Sequence, residues 1–266
     1  MHEPFKAETL RQYSCFTNHE NIIAGLTTRH GGHSERPFHT LNMGLHVQDE
    51  SDTVLRNRKE LAQETGFPLE NWIIGEQIHD IRVKVAGNGE KGKGVFSHES
   101  AVAGVDGLIT NQPGLLLGAF YADCVPLFFY APVSGWIGIA HAGWKGTVRN
   151  MVSQMIGHLT EQGCSIEEIE LVIGPCISEE HYEVDQRVYD QIPVEFQGES
   201  AVSVSSGKYK LDLKKLNESM AFQSGLHKEN VRVSRLCTYE KENLFYSHRR
   251  DQGQTGRMLG FIGLKG

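Results

Sequence analysis

Apolar residues recur along this chain with two periods, and the periods divide it into elements. In the middle, three nearly continuous apolar runs follow one another at positions 114–119, 125–130 and 136–140. Runs of that length bounded by polar or small residues predict strands buried on both faces. The period then changes. Val148, Met151, Val152, Met155, Ile156 and Leu159 fall on one stripe at helical spacing, and Thr147 stands where an N-cap is expected. Before this centre, 22–28 reads as a strand, 54–65 as a helix with a polar face, and 72–74 as a short strand ending towards Gln77 and His79. In an extended segment Gln77 and His79 would point to the same side. Alternation over 81–85 predicts another strand. After the centre, 169–173 and 231–233 read as strands, a helix runs from Leu211 to about Gln223, and 258–264 reads as a closing strand. Helices and strands mix without a regular βαβ alternation. The fold class predicted is α+β, one domain over residues 1–266 with extensive mixed sheet flanked by helices.

Composition narrows the function classes. Of 266 residues, 39% are hydrophobic and 22% charged, enough apolar material for a full core. A net charge of −7 argues against nucleic acid as a partner, since phosphate backbones need a basic surface. No apolar run is long enough to span a membrane, and the first residues do not read as a secretory signal. Cys15, Cys124, Cys164, Cys176 and Cys237 are odd in number and unclustered, which is not a disulfide framework. They suit a reducing cytoplasm, where a thiol is free to act as ligand or nucleophile.

Cys124 and His141 stand at the ends of predicted buried strands beside small residues, and His79 stands at another strand end. Strand ends aim side chains rigidly. A thiolate and two imidazoles are good zinc donors, and three protein donors with one open position is the catalytic pattern. Two other readings fit the same residues: a Cys–His nucleophile pair, or a packed core thiol beside a satisfied histidine. Gly143 to Thr147, including Lys145, opens a helix whose amides could hold phosphate. Arg29, Arg58, Arg249 and Arg250 are candidate anion contacts or structural ion-pair partners. Asn42 could bind a ligand or its own turn, Asp123 could orient Cys124, and Cys176 reads as a core thiol.

Ordered motifs run along nearly the whole chain. They include Thr28-Arg29-His30-Gly31-Gly32, Leu41-Asn42-Met43-Gly44, Asn57-Arg58, Gln77-Ile78-His79 and Asp106-Gly107-Leu108-Ile109-Thr110. Ala122-Asp123-Cys124-Val125-Pro126, His141-Ala142-Gly143-Trp144-Lys145-Gly146, Gly174-Pro175-Cys176-Ile177 and Arg249-Arg250-Asp251 with Thr255-Gly256-Arg257 follow. The set resembles the YfiH/YlmD family, also called the multicopper polyphenol oxidase (laccase) domain family. The resemblance implies a layered YfiH-like or CNF-like fold with mixed central sheets, and a catalytic zinc on His79, Cys124 and His141. It further implies phosphorolysis of adenosine, inosine and S-methyl-5′-thioadenosine, so that a purine nucleoside and phosphate would be the small-molecule partners, together with adenosine deamination. Two alternatives come with the family: an amidase that edits a peptidoglycan precursor, and a copper-dependent laccase. The sequence argues against the laccase, because multicopper chemistry needs about ten histidine and cysteine ligands in His-x-His patterns, and none occurs. Asp80 stands where the family often has glycine, and Lys145 where arginine is commoner. Lysine there lacks the bidentate fork.

Overall fold

The computed structural model describes residues 2–266. The chain begins with strands β1 (Lys6–Ala7), β2 (Gln12–Cys15) and β3 (Ile22–Thr27). Helix α1 (Ser51–Thr65) follows and ends on Gly66 at φ 74°, whose N–H bonds Ala62 O. Strands β4 (Trp72–Ile74) and β5 (Val83–Val85) lead to the central set, β6 (Gly107–Thr110), β7 (Leu116–Tyr121), β8 (Val125–Ala131) and β9 (Trp136–Ala142). Helices α2 (Trp144–Val148) and α3 (Met151–Glu161) come next, then β10 (Glu170–Ile173), β11 (Glu183–Asp185), α4 (Gln186–Tyr189) and α5 (Val194–Ser200). Strands β12 (Ala201–Ser205) and β13 (Lys208–Leu211), helix α6 (Leu213–Gln223), β14 (Val231–Val233) and β15 (Met258–Leu264) complete it.

Two six-stranded sheets form the body. One has the order β1-β2-β3-β15-β7-β4 and the other β14-β10-β8-β9-β6-β5. Both are mixed, with parallel pairs β4–β7, β10–β14 and β5–β6. Alternation along the strands explains the layering. In β7, Leu117, Ala119 and Tyr121 meet Phe128, Tyr130, Ile137 and Ile139 of the second sheet in a core between the sheets. Leu116 and Phe120 of the same strand turn to the opposite side, with Leu41, Met43 and Leu61. In β8, Leu127, Phe129 and Ala131 face outward instead, under Met155, Leu159, Leu216 and Met220 of α3 and α6. Runs that looked buried on both faces are buried on both faces, and this α+β arrangement agrees with the class read from the sequence.

Helix α3 seats closely because two strand positions under it lack side chains. A Cβ on Gly107 or Gly138 would stand 2.8 Å from Met155. The expected stripe is the buried one, but Thr147 is not the cap. It lies inside α2, with its hydroxyl accepting from Asn217 Nδ2 at 3.0 Å. Asn150, at φ 61°, breaks the two helices apart, and its side chain accepts from Ser153 N. A third sheet, β11-β13-β12, was not expected; the segment leading to α6 is strand before it is helix. The polar face of α1 also carries buried residues. Asn57 and Arg58 are completely enclosed. Asn57 accepts from His33 N at 2.8 Å and donates to Asn42 O at 2.8 Å, so the helix holds the 29–44 loop through polar contacts.

Candidate functional site

Three side chains from three segments converge where the two sheets meet. His79 lies on the loop after β4, Cys124 in the turn that carries the chain from β7 in one sheet to β8 in the other, and His141 near the end of β9. Their donor atoms all lie within 4.8 Å of one another. The two imidazoles stand edge to face, ring centres 4.8 Å apart. Gly143 completes the approach: a Cβ there would sit 3.2 Å from Cys124 Sγ and 3.3 Å from His79 Cδ2.

Backbone strain collects here. Gln77, His79 and Asp123 all have left-handed φ, at 60°, 60° and 87°. Such residues cost of order 1–3 kcal/mol each and persist where their surroundings over-determine them. Each of these is tied down. Gln77 is not extended alongside His79 as expected; its amide pairs with β7, donating to Phe120 O at 2.9 Å and accepting from Phe120 N at 2.7 Å. Asp123 accepts from Thr238 Oγ1 at 2.7 Å, Ser247 Oγ at 2.9 Å and Arg249 N at 2.7 Å. It therefore orients the Cys124 turn by anchoring it to the C-terminal loops.

Asp106, at the entrance to β6, ties down His79. Its buried carboxylate accepts from Ile78 N at 3.0 Å, His79 N at 3.1 Å and Asp80 N at 2.9 Å. It also lies 2.9 Å from His141 Nδ1. An ionised carboxylate only accepts, so Nδ1 carries the proton and Nε2 is left for Cys124 or an ion. Burial works to raise the Asp106 carboxyl, but His141 and the loop amides outweigh it and hold the pKa low. Burial likewise opposes charge on Cys124 and His141, yet their mutual attraction wins. The thiol is drawn down to about 6 by the two histidines, and His141 is raised to about 9 by Cys124 and Asp106. The protein without an ion thus favours a thiolate beside an imidazolium.

The three residues open into a cavity of about 400 Å³ whose wall also includes His46, His98, Phe120, Tyr182, Arg249 and Arg257. Arg249 lies over Tyr182, 5.0 Å from the ring centre, and donates to Glu183 O at 3.1 Å. The other sequence candidates are not brought together with the triad. Arg58 is spent behind Phe120, donating to the carbonyls of Met43, Gly94 and Val95. Its burial lets it face no ligand. Asn42 is enclosed and bonds Gly44, Asp49 and the Arg257 N–H. Arg29 donates to Glu242 O at 3.0 Å and lies over Tyr246, away from the cavity. Lys145 is exposed, 5.8 Å from the Trp144 ring centre. Arg250 is a structural pair with Asp251, and Cys176 is a buried thiol in the core.

Asp106, His46 and His98 had no assigned role in the sequence reading. For Asp106 a signal existed: it is a lone carboxylate next to the Gly107-Leu108-Ile109 stretch, and a carboxylate is rarely buried unless paired. His46 and His98 sit in irregular segments where no period singles them out.

The chain is similar to known proteins over nearly its whole length. A family model described as multi-copper polyphenol oxidoreductase laccase matches residues 23–265. The chain is 45% identical over 252 residues to the purine nucleoside phosphorylase YlmD of Bacillus subtilis, covering 93% of this chain and 90% of that one. It superimposes on the crystal structure of the hypothetical protein YfiH of Bacillus licheniformis with TM-score 0.96, 39% identity and 99% and 100% of the two chains covered. YlmD of Geobacillus stearothermophilus gives TM-score 0.95 at 40% identity, with 100% of each chain covered.

Proposed function

Because this chain belongs to the multi-copper polyphenol oxidoreductase laccase family, whose matched relatives here are named purine nucleoside phosphorylases, we propose that it is a zinc-dependent purine nucleoside phosphorylase. The observation that carries the proposal is the convergence of His79, Cys124 and His141 at a cavity whose wall also bears Arg249 and Arg257. About 400 Å³ falls within the usual range of small-molecule sites, roughly 300–1,000 Å³. Adenosine, inosine and S-methyl-5′-thioadenosine are the expected substrates.

The residues fit a zinc ion. A thiolate and two imidazoles are its donors, and Asp106 already fixes the tautomer of one of them. Bound there, zinc would supply Lewis acidity. The copper named in the family's description fits less well. Only two groups of three potential ligands come together among the described residues, this one and Glu180, His181 and Glu240, far fewer than multicopper chemistry requires. The five cysteines are free, which suits a reducing cytoplasm.

Within the cavity the chain's own residues bind and orient. Tyr182 and Phe120 put aromatic surface on the wall against which a flat base can pack, and the arginines offer positive charge to phosphate. Adenosine deamination would use the same cavity and release ammonia. The test is purified, metal-analysed protein incubated with inosine or adenosine, with and without inorganic phosphate. Phosphate-dependent release of hypoxanthine or adenine is expected. Base release that ignores phosphate, or none, refutes the phosphorylase. A chelator should abolish turnover; if only alkylation of Cys124 does so, Cys124 is a nucleophile and not a ligand.

A further inference from the structure

Arg257 has a guanidinium that its protein neighbours leave partly unused. Nη1 donates to two backbone carbonyls, Thr255 O at 2.8 Å and Gly256 O at 3.0 Å. Nε and Nη2 have no protein hydrogen-bond partner, and among the described residues no carboxylate pairs with the group. Burial pulls its pKa down, while the charges of Cys124 and Asp123 hold it up, so the guanidinium feels the site directly.

The surrounding backbone is shaped to put this group beside His46. A Cβ on Gly44 would stand 2.9 Å from Arg257 Cγ and 3.1 Å from His46 Cε1. Asn42 fixes the arrangement, its Oδ1 accepting from Gly44 N at 3.0 Å and Arg257 N at 2.9 Å. Met43 N donates to Arg257 O at 3.0 Å. His46 packs 5.5 Å from the His98 ring and 5.3 Å from that of Phe120. Burial, followed by Arg257 and His98, keeps His46 neutral, so it retains one N–H to donate. The cavity's carboxylates are engaged elsewhere and none forms an ion pair with Arg257: Asp123 accepts from three other donors, and Glu76 accepts from Gly104 N at 2.7 Å.

We infer that Arg257, with His46 beside it, is the oxyanion subsite of the cavity and holds inorganic phosphate during phosphorolysis. The inference rests on the phosphorylase reading for its reaction, but its geometry stands apart from it. A guanidinium with free Nε and Nη2 presents the fork that grips two oxygens of a tetrahedral anion. In the reaction a phosphate oxygen supplies the pair for the new C1′–O bond. The C1′–N9 pair leaves with the base, which takes a proton from hydrogen phosphate or solvent. Arg257 and His46 position the phosphate for that attack.

The test uses the metal-loaded full chain and inorganic phosphate, followed by calorimetric titration and by inosine phosphorolysis. Losing a charge-assisted hydrogen bond weakens binding by about tenfold or more. Arg257→Gln is therefore expected to raise both the Kd and the KM of phosphate by about tenfold or more, with the KM of inosine within about threefold. Arg257→Lys should fall between. His46→Leu, which keeps an apolar side chain in place, should raise the phosphate KM in the same direction, and it carries the test if Arg257→Gln does not fold. Phosphorolysis with an unchanged phosphate KM in a folded variant overturns the subsite and leaves the proposed function intact. Phosphate binding that depends on Arg257 in a protein that does not phosphorolyse inosine supports the subsite and refutes the phosphorylase. Acetate bound as tightly as phosphate overturns recognition of a tetrahedral anion.

Discussion

Replacing Asp106 by asparagine isolates the one carboxylate that organises two of the three converging side chains. Four N–H donors reach it at 2.9–3.1 Å, three from the His79 loop and one from His141. An asparagine oxygen has two lone pairs, and its amide would face further donors. At least two of the four donors therefore lose their partner. An orphaned buried donor costs about 1–3 kcal/mol, and the loop amides regain part of this from water. The expected loss of stability is about 2–4 kcal/mol, within the range of a broken buried network. Loss of the partner that orients a ligating histidine weakens metal binding by about 10–100-fold. Zinc affinity measured by competition with a chromogenic chelator, beside urea denaturation, gives both quantities. The pH dependence adds a check of sign. Asp106 is held below the ordinary carboxylate range, so its stabilisation is present above that range and is lost as pH falls through the folded value. The stability gap between wild type and Asp106→Asn should be full at neutral pH and shrink in acid. Zinc affinity within threefold of wild type, with an unchanged urea midpoint, would refute the account.

Gly143→Ala places a methyl group 3.2 Å from Cys124 Sγ and 3.3 Å from His79 Cδ2, so zinc affinity should fall by about tenfold at little cost in stability, as chelator competition can measure. Arg58→Met removes a buried guanidinium and strands the carbonyls of Met43, Gly94 and Val95; at about 1–3 kcal/mol for each orphaned acceptor, urea unfolding should show a loss of about 3 kcal/mol or more. In metal-free protein, alkylation of Cys124 should rise with pH through a midpoint near 6, because the thiolate is the nucleophile and the histidines favour it. A midpoint above 8 in that experiment, or no protection by zinc, would contradict the thiolate–imidazolium pairing.

The parts of the fold that were legible in the sequence are those where burial is uniform. Residues of β7, β8, β9, α3 and β15 are enclosed along their length or along one stripe, and periodicity reports that directly. Strands β11 and β13 are short and half-buried, with no apolar run to mark them, and the valines that alternate along β12 face solvent and so report no buried face. The α2–α3 break was hidden because Val148 and Met151 keep helical spacing across Asn150. Cys124 and His141 stood out because they border strong strands. His79, Gln77 and Asp123 adopt left-handed backbone without being glycine, which composition does not reveal. Arg58, on the polar face of a helix, and Asn42, in a turn, were open to either a ligand-binding or a structural reading because polar residues at such places usually face solvent; here tertiary packing encloses them. Arg257 appeared only within a motif, since its placement depends on Asn42 and Gly44, more than two hundred residues earlier.

That separation has a kinetic side. Strand β15 lies between β3 and β7, and Leu259 N donates to Thr27 Oγ1 across 232 residues of chain. The sheet carrying the strand before Cys124 is therefore complete only after one of the longest loops in the molecule has closed. Such closures slow folding, because the entropy of the loop must be lost before its contacts form. Asp123 depends on Thr238, Ser247 and Arg249 from the same late region. The site is thus expected to be among the last parts of the molecule to take shape. A partly folded chain would hold Cys124 and the two histidines apart, and a productive cavity would mark the end of folding.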